Sequence, residues 1–181
     1  MVDLEELFQE AFAAFLEAER DHLLTNVSER NSCGRLAIWL HNAKEKRALA
    51  PYVVDVEYDR AEGGELKKIV NSREEVINIV CDIILHSRGH ADPDNLIAIE
   101  MKKSYRPQRE KQKDRERLMA LTMSEEQSYS NAIYSKDGRA QPGIVCGYAL
   151  GYFIEIDIQN ERCLVEKYRA GECAEKFAAQ L

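Results

Sequence analysis

The chain has 181 residues, 45% of them hydrophobic and 31% charged, with a formal net charge of −7. That length and apolar content are enough to bury one full core, and no Pro/Gly/Ser-rich linker divides the sequence, so a single domain over 1–181 is expected. No apolar run approaches a membrane span and the acidic start lacks a secretion signal, so a cytoplasmic protein without membrane contact is expected; the acidic total argues against a nonspecific, high-affinity polyanion binder.

From Leu4 to Glu19, the apolar residues Leu4, Leu7, Phe8, Ala11, Phe12, Phe15 and Leu16 recur at helical spacing with glutamates between them, which predicts an amphipathic helix. Ser28 is placed to cap a second helix running through Arg35, Leu36, Ile38, Trp39 and Leu40 and closing before Pro51. Glu29 falls at its start, where the helix field favours a carboxylate whatever its function. Tyr52 to Asp59 alternates, with Tyr52, Val54, Val56 and Tyr58 on a core face and Asp55, Glu57 and Asp59 on an acidic one. Over 61–79, Gly63-Gly64 marks a turn and a short helix is expected from Ser72 to Asn78.

Two apolar strands follow, Val80 to His86 and Asn95 to Lys102, joined by a turn-rich stretch with Gly89 and Pro93. Each carries ionisable residues where a core strand should be apolar. Side chains alternate along a strand, so Glu100 and Lys102 share a face; if the hairpin is symmetric about Ala91, Asp82 falls opposite Glu100. Two carboxylates and an ammonium would then converge. Such a set suits a hard divalent cation, Mg2+ or Mn2+, which takes one or two carboxylates plus water and phosphate oxygens. A lysine beside it would orient a water or neutralise charge on a phosphoryl oxygen. An ion pair on a sheet surface is the plainer alternative for a bare Glu-x-Lys. His86, His90, Asp92 and Asp94 lack metal-ligand spacing.

From the end of the strand the sequence turns basic, with Lys102, Lys103, Arg106, Arg109, Lys111, Lys113, Arg115 and Arg117, and a helix is predicted from about Pro107 to Leu121. This run is read as a docking place for a phosphate backbone, or as a solvated helix held by neighbouring opposite charges. Arg88 in the hairpin is a further candidate phosphate contact. Ile144 to Ile158 and Cys163-Leu164-Val165 predict a strand pair, Gly151 allowing a bend or a close approach, and Ala174 to Leu181 predicts a short terminal helix. The five cysteines lack C-x-x-C spacing and are expected to be reduced, largely buried thiols.

Asp82, followed after the hairpin by Glu100-Met101-Lys102, resembles the PD-(D/E)xK nuclease signature, with Cys81 where the motif name has proline. Further blocks resemble a group of small microbial members of that superfamily: Ser28-Glu29-Arg30 with Arg35 to Ile38, Asp55 to Arg60, Asp82 to Gly89, Asn95 to Lys103, Asp114 with Arg117-Leu118, and Tyr148 to Gly151. The resemblance implies an α/β (α+β) restriction-endonuclease-like core, a central mixed sheet flanked by helices. It implies a Mg2+- or Mn2+-dependent nuclease, with nucleic acid (DNA expected) as partner and a homodimer as one assembly. Asp82 and Glu100 would hold metal, Lys102 would assist the attacking water, and Glu29 or Glu57 would support the acidic site. Arg60 joins Arg88, Lys103 and Arg106 as candidate nucleic-acid contacts. The alternative is a catalytically inactive nuclease-fold module that binds nucleic acid or a protein partner.

Overall fold

Asp3 starts the first helix, its carboxylate accepting the backbone N–H groups of Glu5 at 2.9 Å and Glu6 at 3.1 Å. Helix α1 runs Leu4–Leu24, longer than the periodicity alone predicts, because Leu23 extends the buried stripe. Asn26, in the left-handed region at φ 59°, turns the chain out of it. Ser28 caps α2, Glu29–Glu45, by accepting the Asn31 N–H at 3.2 Å. The computed structural model describes residues 2–59, 68–70, 76–78, 80–124 and 145–181.

Among the described residues eight strands and a third helix follow: β1 (Val53–Val56), β2 (Lys68–Val70), β3 (Val76–Asn78), β4 (Ile83–His86), β5 (Asn95–Lys103), α3 (Gln108–Thr122), β6 (Leu150–Asp157), β7 (Arg162–Arg169) and β8 (Glu172–Gln180). Six of the strands form one sheet in the order β1-β4-β5-β6-β7-β8, while β2 and β3 pair separately. All neighbours in the large sheet are antiparallel except β5 and β6, which are parallel, and α3 lies in the crossover such a pair requires. The fold is α+β: three helices and a six-strand mixed sheet with helices packed against it. Among the described residues no helix is long and apolar enough to cross a membrane.

Alternation along the strands divides the core between the two faces. Ile83, Leu85, Ile97, Ile99 and Met101 pack with α1 and α2, whereas Ile84, Ala98 and Phe153 pack with Leu118 and Leu121 of α3. On the first face Phe8 stacks on Tyr152 with centroids 3.5 Å apart. Burying a ring of that size contributes roughly 1.5–3 kcal/mol. On the second face α3 comes close because position 151 is glycine: an added Cβ would meet Thr122 Cγ2 at 3.0 Å, Tyr168 Cβ at 3.2 Å and Leu118 Cδ2 at 3.3 Å.

Three expectations change. Ala174 to Leu181 is not a helix but most of β8, because Phe177, Ala179 and Leu181 turn inward at period two and Val165 and Cys163 of β7 pair with Phe177 and Ala179. Val76–Asn78 is a strand paired with β2 rather than the end of a helix; the preceding 71–75 and Gly63-Gly64 lie outside the described residues. The strand predicted over Tyr52 to Asp59 ends at Val56, since Glu57 adopts φ 52°. Cys33, Cys81 and Cys163 are buried, Cys146 is half-buried and Cys173 is exposed, all as free thiols.

Candidate active site

The site forms where β4 stops and β5 continues. Ile83 pairs with Ile99 and Ile84 with Ala98, so the hairpin is symmetric about Ala91 through this region and Asp82 comes next to Glu100. Beyond Ile83 no strand among the described residues lies on this edge of β5, yet its backbone donors still need partners. Two carboxylates take them. Asp82 Oδ2 accepts the Met101 N–H at 2.9 Å, and Glu29 Oε1, arriving from the first residue of α2, accepts the Lys103 N–H at 3.0 Å.

Asp82 and Glu29 line a cleft of about 260 Å3 together with Ser28, Arg30, Cys33, Glu57 and Arg106. Glu57 is brought there by its left-handed backbone, with its N–H donating to the Asp82 carbonyl at 3.1 Å. Each outlying acid is gripped by an arginine. Arg106 donates to the two oxygens of Glu29 at 2.9 and 3.3 Å, and Arg30 to those of Glu57 at 2.8 and 2.7 Å. Burial alone would raise the Glu29 carboxyl, but Arg106, the Lys103 N–H and the charge of Lys102 outweigh it and hold it below the ordinary range. Burial pushes the Cys33 thiol up, reinforced by Asp82 and Glu100, so it is no ready nucleophile.

Glu100 and Lys102 point to the other face, toward α3. Glu100 is fully buried; its Oε1 accepts Arg117 at 2.6 Å, while Oε2 has no hydrogen-bond partner among the described residues. Lys102 Nζ lies 3.0 Å from Asp114 Oδ2 and 3.8 Å from Asp82 Oδ2, and Arg117 also reaches Asp114 Oδ1 at 3.3 Å. The charges therefore alternate along Glu100, Arg117, Asp114, Lys102 and Asp82, with three acids against two bases. Burial, then the Asp82 charge, raises the Glu100 carboxyl well above its ordinary value, with Arg117 opposing. Burial alone would lower Lys102, but Asp82 and Asp114 prevail and hold it above the ordinary lysine range. Lys102 is therefore an ammonium, a donor and a positive charge rather than a base.

This donor set fits a hard cation. Among the described residues no group of three or more His, Cys, Asp or Glu side chains is arranged to hold a metal. Mg2+ needs fewer, one or two carboxylates with water and phosphate oxygens completing the shell. Asp82 and Glu100, whose Oε2 has no hydrogen-bond partner among the described residues, are the two carboxylates that would supply that minimum.

The four candidate nucleic-acid contacts separate. Arg106 lines the cleft. Arg88 lies elsewhere, forked onto Asp55 at 2.9 and 2.5 Å with its guanidinium over the Tyr58 ring. Lys103 is buried to 1% exposure, packed on the α2 face where Glu29, Cys33 and Cys163 surround it, and its ammonium has no hydrogen-bond partner among the described residues. Buried so, it is not a surface contact for phosphate. Arg60 lies outside the described residues.

The basic run of α3 is likewise no open patch. Lys111 pairs with Glu155 at 3.0 Å, Arg115 with Glu166 at 2.9 Å and Arg117 with Glu100, leaving Arg109 and Lys113 exposed. The helix turns every third or fourth residue inward, so a run that is basic in sequence is divided between two faces. Sequence reasoning placed Arg30, Asp114 and Arg117 in resembling blocks but did not assign Arg30 to the cleft or Asp114 and Arg117 as partners of the motif side chains. The three-residue spacing of the last two along one helix face was the available signal.

Comparison with protein-family models, with curated proteins and with solved structures finds no match to this chain.

Proposed function

We propose that this chain is a divalent-metal-dependent nuclease of the PD-(D/E)xK type that hydrolyses phosphodiester bonds in nucleic acid, with DNA the expected substrate. The observation that carries the reading is the buried Oε2 of Glu100, which has no hydrogen-bond partner among the described residues and lies on a carboxyl that feels the charge of Asp82. A fully buried carboxylate oxygen without a partner is costly, and a cation, a proton or a water would answer it. Asp82 and Glu100 would hold Mg2+ or Mn2+, which when bound would polarise a phosphoryl oxygen and make a water more acidic.

The chain's own residues supply the rest. Lys102, kept charged by Asp82 and Asp114, donates to the attacking water or to the phosphoryl oxygen as negative charge develops there. Arg106 and Arg30, exposed beside the cleft, neutralise Glu29 and Glu57 when substrate is absent and can turn to phosphates when it is present. Glu29 also anchors the end of β5 to the start of α2.

The same two arginine forks favour the second reading, an inactive nuclease-fold module binding nucleic acid or protein, because they already neutralise two of the three cleft carboxylates. Mn2+ titrated into the metal-free protein, followed by incubation with duplex, branched and single-stranded nucleic acid, separates the two. Saturable binding and cleavage that both vanish in Glu100→Gln support the nuclease. Binding of nucleic acid with no Mn2+ uptake and no cleavage overturns it in favour of the module.

A further inference from the structure

Arg117 and Asp114 lie three residues apart on α3, and the side chains they hold, Glu100 and Lys102, lie two apart on β5. Three helical residues rise about 4.5 Å and two strand residues about 6.6 Å, a mismatch that a long arginine side chain can span. The helix is fixed over this stretch at both ends. Lys111 donates to the Ser104 carbonyl at 3.0 Å near its start, and Gly151 admits Thr122 and Leu118 close to the sheet near its end. Arg117 occupies one oxygen of Glu100 at 2.6 Å and leaves the other without a hydrogen-bond partner among the described residues, while Asp114 sits against both Lys102 and Arg117.

We infer that Arg117 and Asp114 are the positioning residues of this site: Arg117 presents the free oxygen of Glu100 to the metal, and Asp114 holds the Lys102 ammonium toward Asp82. The inference rests on the nuclease reading above. It assigns the two residues separate duties, because each grips a different motif side chain. Neither is a catalytic residue. α3 thus acts as a template that reads the Glu-x-Lys pair in register.

The test uses the full chain, with Mn2+ calorimetry on metal-free protein, single-turnover cleavage of duplex DNA in saturating Mn2+, and thermal denaturation. Arg117→Ala should weaken Mn2+ binding by about 10- to 100-fold, the usual size of an outer-shell loss, and Arg117→Lys should recover part of it. Asp114→Ala should keep Mn2+ affinity within about threefold of wild type yet slow cleavage by about 10- to 100-fold, with Asp114→Asn in between. That split between affinity and rate is what a merely structural pair would not give.

If Arg117→Ala does not fold, Arg117→Lys and the two Asp114 variants decide. Folded variants that bind Mn2+ and cleave as wild type does, or that lose both in parallel with thermal stability, overturn the assignment. Failure of the underlying reading looks different: wild type and Glu100→Gln would then be alike in taking up no Mn2+, and the inference would fall with it.

Discussion

The Asp82 carboxylate accepts the Met101 backbone N–H at 2.9 Å, so a side chain proposed to hold metal also completes the ladder of β5. Removing it does two things at once. Asp82→Ala should lose Mn2+ binding and should also destabilise the fold by about 1–3 kcal/mol, because a backbone donor loses its acceptor. Asp82→Asn keeps an acceptor oxygen and should abolish cleavage with a smaller loss of stability. Thermal melts of the two variants beside wild type check this; equal melting temperatures would deny the backbone role.

Glu100 gives a pH signature. Burial, with Asp82 next to it, raises its carboxyl well above the ordinary 4.5. The folded chain therefore binds this proton more tightly than the unfolded chain, and its contribution is complete below 4.5 and declines as pH rises toward the folded value. Metal-free wild type should lose stability across that window, and Glu100→Gln should show a flatter profile. Saturating Mn2+ should flatten the wild-type profile too, since the ion takes the proton's place. Urea denaturation at a series of pH values measures all three.

Lys103 offers a separation of fold from binding. Its ammonium is buried without a hydrogen-bond partner among the described residues, and burial lowers its pKa. Lys103→Met, similar in length and uncharged, should raise stability by about 1–3 kcal/mol and leave nucleic-acid affinity unchanged. A drop in affinity without loss of fold would restore Lys103 as a contact.

Arg106 and Arg88 should behave oppositely. Arg106 is beside the cleft, so Arg106→Ala should weaken nucleic-acid binding evenly across sequences and reduce the salt slope by about 1. Arg88 is committed to Asp55, so Arg88→Ala should lower stability and leave the slope alone. Filter binding at a series of salt concentrations distinguishes them.

The helices α1 and α2 and the β4–β5 register were legible because each rests on local signals: an apolar stripe, a serine cap, a hairpin symmetric about Ala91. The nearness of Asp82 to Glu100 followed from that register. Other features depended on distant contacts. Ala174 to Leu181 has the small residues of a helix, and only its pairing with β7 makes it a strand. Lys103 looks like its basic neighbours, yet strand alternation turns it from the face of Lys102 to that of Met101, under α2. The role of Arg117 needed α3 laid across β5, which the chain specifies partly through Gly151, far along the sequence.

The chain of charges beneath α3 also bears on what the fold gives up. Glu100 and Arg117 occupy interior space that a well-packed apolar pair would fill with no desolvation penalty, and replacing buried ion pairs in that way often stabilises a protein by about 1–4 kcal/mol. An apolar pair that filled the same space is expected to raise stability above that of the wild type. Stability selection alone, applied to random variants at 100 and 117, should therefore drive both positions toward hydrophobic residues, and on the nuclease reading the variants so selected should take up no metal.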